Sequence, residues 1–208
     1  MTNREAVAIT GGLSYPSKMP CLGYSIPASK CKVGRKLAKQ NGSVCSKCYA
    51  KKGNYMYPRP RQAMTKRFNF LGHARWVDAM VFLINSTGNP FFRWHDSGDI
   101  QSLFHLCRIV AVACLCPKVK FWLPTREYGM IREYVNTFGA FPKNLVVRLS
   151  AYMIDGPPPS GLAEQLGVQT STVQTFNYNC PASKQGNKCG FCRKCWNKQA
   201  VNVAYKKH

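Results

Sequence analysis

The sequence predicts an α/β fold, a partial and open β/α barrel with loop-rich, cysteine-bearing segments at both ends. Three observations predict it. Short apolar runs alternate with segments of helical period, and polar clusters follow each run, as in parallel β-α-β units. The 208 residues fall short of the roughly 250 that a complete barrel takes. With 45% apolar and 12% aromatic residues, the chain can bury a core as one domain.

From Thr10 to Pro27 the chain is rich in Gly, Pro, Ser and Tyr, which predicts irregular or extended backbone. Met64, Phe68, Leu71, Trp76, Met80, Leu83 and Ile84 then recur as on one helical face, predicting an amphipathic helix over residues 63–85 that Asn89-Pro90 stops. Phe91 to Trp94 reads as a short buried strand that opens into His95-Asp96-Ser97-Gly98-Asp99. A helix follows over residues 102–116. Lys118 to Leu123 reads as the next strand, with Pro124-Thr125-Arg126-Glu127 behind it, and Tyr128 to Phe138 as a helix that Gly139 closes. Asn144 to Ser150 is a further strand. The Gly, Pro and Ser content of 153–172, centred on Pro157-Pro158-Pro159, predicts a linker or lid-like loop. The organisation is thus a single domain over 1–208: an N-terminal segment over 1–50, a β/α core over 51–152, this loop, and a cysteine-rich segment over 173–208.

Seven of the eleven cysteines fall into two groups, Cys31, Cys45 and Cys48 near the front and Cys180, Cys189, Cys192 and Cys195 near the back. Each contains the C-x-x-C step that lets sulfurs converge on a metal centre. Four thiolates complete a zinc ion or a [4Fe-4S] cluster, whereas three leave one iron of a cubane open to a small molecule. One or two clusters are therefore expected, with zinc as the alternative at the back group, and with the two groups sharing one cluster as a further arrangement. Disulfides fit less well, because the cysteine number is odd and Met1 to Ala8 carries no apolar leader. The expectation is a protein of the cytoplasm, without a membrane span. Cys107, Cys114 and Cys116 lie in an apolar helical run and read as small buried thiols.

Lys and Arg total 30 against 8 Asp and Glu, a formal net charge of +22. Such an excess points to an anionic partner, either nucleic acid or an anionic small-molecule substrate. Three of the few acids, Asp96, Asp99 and Glu127, stand at strand ends, where ligands of parallel sheets bind. His95 and Asp96 are the candidates for acid-base work, or a histidine simply bonded in a turn. Asp96, Ser97, Asp99, Thr125, Arg126 and Ser150 are the candidates for cofactor binding. Arg126 and Glu127 suggest an anion clamp with a balancing carboxylate, or a structural ion pair.

Several long blocks resemble the phage gene product 88 family: Ser17-Lys18-Met19-Pro20, Cys45-Ser46-Lys47-Cys48-Tyr49-Ala50, Arg93 to Asp99, Phe121 to Tyr128, and Cys189-Gly190-x-Cys192-Arg193-x-Cys195-Trp196. The likeness covers nearly the whole chain and implies a phage or prophage origin, hence an infected host cell. More distantly, Cys45-x-x-Cys48-Tyr49-Ala50 with strand ends at Asp96-Ser97, Thr125-Arg126 and Leu149-Ser150 is similar to radical S-adenosylmethionine-like phage proteins and spore photoproduct lyases. That resemblance implies a partial barrel holding a [4Fe-4S] cluster on three cysteines, S-adenosylmethionine on the open iron, an electron donor, and an enzyme acting on an anionic or nucleotide substrate. The expected state is a monomer. The competing expectations are a zinc-stabilised basic nucleic-acid-binding protein and an iron-sulfur redox protein that does not use S-adenosylmethionine.

Overall fold

Each strand owes its place to alternation. In Phe91–Trp94 (β2), Phe92 and Trp94 are buried in the main core while Phe91 and Arg93 face the other side of the sheet. In Lys120–Thr125 (β3), Phe121 and Leu123 enter that core and Trp122 turns away from it. In Leu145–Ile154 (β4), Leu145, Val147 and Leu149 do the same, with Arg148 opposite. Gly23–Tyr24 (β1), Gln169–Gln174 (β5) and Asn202–Lys206 (β6) complete a six-stranded sheet, parallel throughout and ordered β1-β2-β3-β4-β5-β6. This computed structural model describes residues 1–207.

The helices are Asn3–Thr10 (α1), Lys32–Leu37 (α2), Pro58–Phe70 (α3), Trp76–Ser86 (α4), Leu103–Leu115 (α5), Tyr128–Phe138 (α6) and Ser160–Gln165 (α7). The apolar stripes of α1, α4, α5 and α6 share one core with β1 to β4, so these helices cover one face of the sheet. A consecutive strand order, with crossovers of one hand, delivers that arrangement. The opposite face is covered by the cysteine-rich segment: Trp196 and Cys195 pack on Trp122 and Val203, and the Trp196 indole donates to the Phe92 carbonyl at 2.9 Å. Arg148, with no exposed surface, ties that segment down by donating to the carbonyls of Thr170, Lys194, Cys195, Asn197 and Ala200.

The α/β class agrees with the alternation of periods, and β2 and α6 fall where they were expected. Four details differ. The helix read over 63–85 is two, α3 and α4, parted at 71–75 where the apolar spacing stretches to the five-residue step from Leu71 to Trp76. Arg67 of α3 points inward to the carbonyls of Gly12, Leu13 and Ser25, which locks the N-terminal turn. The stretch 153–172 is not a loop, for it holds the end of β4, all of α7 and the first four residues of β5. Near the start, α1 went unread although Thr2 and Glu5 form a complete capping box.

β3 also runs through Pro124, where the sequence predicted a loop. The amide of Lys120 donates to Pro90 before β2 and that of Phe121 to Asn144 before β4, so position 124 faces the β2 side. Pairing of β2 with β3 has ended at Trp122, and the missing N–H costs no ladder bond.

Gly98 fixes the turn after β2. Its φ is +87°, and a Cβ there would stand 2.2 Å from Ile26 Cγ1 and 2.8 Å from the Ile26 carbonyl oxygen. Gly98→Ala is therefore expected to cost about 3 kcal/mol and to lower Tm by about 8 °C. A thermal melt checks this.

Candidate functional site

The carboxyl ends of β2, β3 and β4 form one polar edge. Asp99 Oδ1 accepts from the Thr125 hydroxyl at 2.7 Å and from the Ile100 amide at 2.8 Å, and Oδ2 accepts from the Arg126 amide at 2.9 Å. Thr125 Oγ1 in turn accepts from the Glu127 amide. Tyr128 and Tyr152 stack at 4.5 Å over this edge, their hydroxyls donating to the carbonyls of Ser150 and Arg126. Ser150 Oγ meets Ser171 Oγ at 3.0 Å. Five of the candidate residues, Asp99, Thr125, Arg126, Ser150 and, through the same turn, Ser97, thus come to adjoining strand ends.

The front cysteine segment is fastened across this edge. Glu127 Oε1 accepts from the Val33 amide at 2.9 Å, just past Cys31, and Ser43 bridges to Met153 while the Ile154 amide donates to Gly42. Gly34 shows how close the thiols come: a Cβ on it would stand 3.7 Å from Cys31 Sγ and 3.5 Å from Cys45 Sγ. The two sulfurs are therefore no further apart than those lengths end to end. Cys48 follows a single turn over Val44–Lys47, and its charge acts on both other thiols. Burial drives the Cys31 thiol far up, reinforced by Asp99 and the neighbouring cysteines. Burial also raises Cys45, against the pull of the Arg126 charge.

The back group gathers likewise. Cys189 donates to Met19 Sδ at 3.8 Å, Cys195 meets the Tyr205 hydroxyl at 3.3 Å, Cys180 acts electrostatically on Cys189 and Cys195, and Cys192 acts on Cys180 and Cys189. Burial pushes Cys195 to about 11 and Cys21 to about 12. Cys21 is buried in the same apolar cluster as Cys195 and Cys180, and the Cys189 charge acts on it, so it belongs with the back group. Among the described residues, no set of three or more His, Cys, Asp and Glu closes around a point as a single metal ion needs.

Arg93 stands between the two groups, a position that sequence reasoning missed. Its guanidinium lies 4.4 Å over the Trp122 ring, one terminal nitrogen reaches Met19 Sδ at 3.6 Å, and the other reaches the hydroxyl of Tyr49, next to Cys48, at 3.4 Å. Its charge pulls down the thiols of Cys21, Cys189 and Cys195 against burial. The signal was present in the alternation, because a residue between two core positions of β2 must face the other side of the sheet. Tyr49 and Tyr55 were also missed. Tyr49 donates to the Asp96 carbonyl, and Tyr55 donates to Asp96 Oδ2 at 2.9 Å.

His95 and Asp96 part company. Asp96 turns to Tyr55, whereas the His95 ring packs 5.3 Å from His105 and 6.1 Å from Trp94 in the helix-covered layer. His95 adopts φ +53°, neither ring nitrogen has a hydrogen-bond partner among the described residues, and burial pushes it down to about 3, so it is a neutral ring at physiological pH. Cys116 is buried as expected, but Cys107 is half-buried and Cys114 is exposed at the end of α5.

Asp99 titrates unusually. Burial raises it to about 6, outweighing its three hydrogen-bond donors. The folded chain then keeps a proton that the unfolded chain releases near 3.8, so this group's contribution to stability falls as pH rises from about 4 to about 6 and is level above. His95 acts in the opposite sense, its contribution rising with pH from about 3 to about 6.5. The difference between chains isolates Asp99. Asp99→Asn is expected to gain up to about 3 kcal/mol on the parent between pH 4 and 7, read from paired thermal melts.

Fold and site together define a parallel-sheet α/β protein with one thiol group at the carboxyl edge of its strands and a second on the sheet face that the cysteine-rich segment covers. The chain belongs to the phage Gene product 88 family, whose sequence pattern matches residues 2–198. No curated protein and no solved structure matches it. No helix among the described residues is long and apolar enough to cross a membrane.

Proposed function

We propose that the chain is an iron-sulfur enzyme of the radical S-adenosylmethionine type, with a [4Fe-4S] cluster on Cys31, Cys45 and Cys48. The cofactor would lie on the strand ends of an open β/α barrel, and the substrate would be an anionic small molecule, a nucleotide or a nucleic acid. The supporting observation is the meeting of the front thiols with the edge of β2 to β4: Cys31 and Cys45 flank Gly34, and Asp99 and Arg126 act on them. Three thiolates are the kind of donor that a cubane with one open iron takes. Its sulfurs bind separate irons and need not close on one point, whereas zinc draws four donors to about 2.3 Å.

When bound, the cluster supplies the electron that cleaves the sulfonium. The chain's own residues bind and orient. Ser97 Oγ and Asp96 Oδ1 are buried without partners among the described residues, the kind of unsatisfied group that would suit a ligand's amine or hydroxyls. The Arg126 side chain is steadied by its Nε bond to the Ala151 carbonyl, and its terminal nitrogens, free of partners among the described residues, suit a carboxylate or phosphate. The stacked pair Tyr128 and Tyr152 shields the edge from water. At the back, Cys180, Cys189, Cys192 and Cys195 would hold an auxiliary [4Fe-4S] cluster or zinc, with Arg93 offsetting thiolate charge.

The second reading is a zinc-braced, basic nucleic-acid-binding protein, favoured by the net charge of +22. A third is an iron-sulfur redox protein that does not use S-adenosylmethionine. Anaerobic purification separates them. Brown protein that, once reduced, releases 5'-deoxyadenosine from S-adenosylmethionine supports the enzyme. Colourless protein with stoichiometric zinc supports the second reading, and brown protein that cycles without that product supports the third.

A further inference from the structure

From Ala6 to Val77 the chain contains no acidic residue, the stretch being bracketed by Glu5 and Asp78. One of its many cations, Arg67, is buried on backbone carbonyls. Beyond Cys48 the others stand in water among aromatic side chains. Lys51, Lys52, Arg59, Arg61 and Lys66 are exposed, Tyr57 keeps 61% of its surface in solvent, and Tyr49 keeps 44%. An open groove of about 620 Å³ runs along α3, with Arg61 and Lys66 as its cations, Gln62 and Asn69 as its amides and Phe70 as its ring.

We propose that residues 49–70 form a binding surface for single-stranded nucleic acid. Phosphates track the five cations, and unstacked bases lie on Tyr57 and Tyr49, the pairing of charge and ring that single strands use. A duplex keeps its bases stacked on each other and offers Tyr57 no base face. The surface begins one residue after Cys48, and the Tyr49 hydroxyl is bonded to the Asp96 carbonyl, so a strand lying on it leads directly to the polar edge of β2 to β4. The inference rests on the nucleic-acid branch of the reading above. It does not rest on the cluster, because none of these side chains is a thiol, and binding is read without turnover.

The test is fluorescence anisotropy of the full-length purified protein with labelled oligothymidine, oligouridine and a duplex of the same length, over a series of salt concentrations. The expected result is tighter binding of one or both single strands than of the duplex, with affinity falling by roughly 3 to 4 logarithmic units per logarithmic unit of salt. Tyr57→Ala is expected to weaken single-strand binding about tenfold. The double variant Lys51→Gln/Lys52→Gln is expected to reduce the salt slope by about 1 to 1.5. The pair Lys206→Gln/Lys207→Gln, far along the chain, is expected to change neither. All these residues but the half-buried Lys207 are exposed, and unchanged melting curves establish that the variants fold. Duplex bound as tightly as single strand, an unaffected Tyr57→Ala chain, or equal effects from the two lysine pairs would each overturn the proposal, leaving only diffuse attraction to net charge.

Discussion

Arg148→Met is expected to lower stability by about 4 kcal/mol and Tm by about 10 °C, the largest loss from any single change that leaves the thiols in place. The side chain is wholly buried and its charge is solvated by backbone alone, five carbonyls from residues 170 to 200. Each bond to a charged donor is worth roughly 1.5–3 kcal/mol when its partner is left unsatisfied, although the losses do not add in full. Methionine keeps an unbranched apolar stem but returns none of those donors. The segment 194–200, which these bonds hold against the sheet, should open first, so limited proteolysis is expected to cut there before the core. Arg148→Lys should recover only part of the loss, because an ammonium cannot fork to carbonyls on several sides. A melt within about 2 °C of the parent would contradict the role given to Arg148.

Cys45→Ala carries the second large effect. Removing one of three donors is expected to strip the front cluster, so that anaerobic iron and sulfide fall by one cluster's worth and 5'-deoxyadenosine formation disappears. Cys31→Ala and Cys48→Ala should match it, since the three thiols act as one unit. Cys114→Ala, exposed at the end of α5, should change neither quantity. Iron and sulfide that survive all three single substitutions would remove the front group from the account.

What the sequence made legible was governed by local periodicity. β2 and α6 were readable because Phe92 and Trp94 alternate with Arg93, and because Tyr128 to Phe138 ends at a glycine with φ +81°. α1 had a local signal too, the Thr2 and Glu5 capping box, though one easily passed over in a stretch with little apolar content. What depends on distant partners was not readable. Arg93, Arg148 and Arg67 look like ordinary surface cations in the sequence, yet each is fixed by ring stacking or by carbonyls brought from elsewhere in the chain. The side that His95 takes is of the same kind: alternation would turn it away from Trp94, yet with a positive φ its ring packs beside Trp94, and no composition or spacing announces it. The cysteine groups were legible as groups. That Cys31 and Cys45 flank Gly34, and that Cys21 joins Cys189, could be seen only once the segments had folded over the sheet.

The acid-free stretch and the cysteine edge share one segment of chain. Cys48 ends the front group, and Tyr49 begins the exposed basic surface while reaching inward to Asp96 and Arg93. A single turn thus joins a place where a polymer could be held to a place where a reaction could be run.

The most direct test of the central claim is electron paramagnetic resonance of the reduced, anaerobically purified protein before and after S-adenosylmethionine is added. Three thiolate ligands leave one iron open, and the account predicts that the cofactor changes the cluster signal, with the change lost in Cys45→Ala. A [4Fe-4S] signal indifferent to the cofactor, or protein that holds zinc and gives no signal, would contradict it.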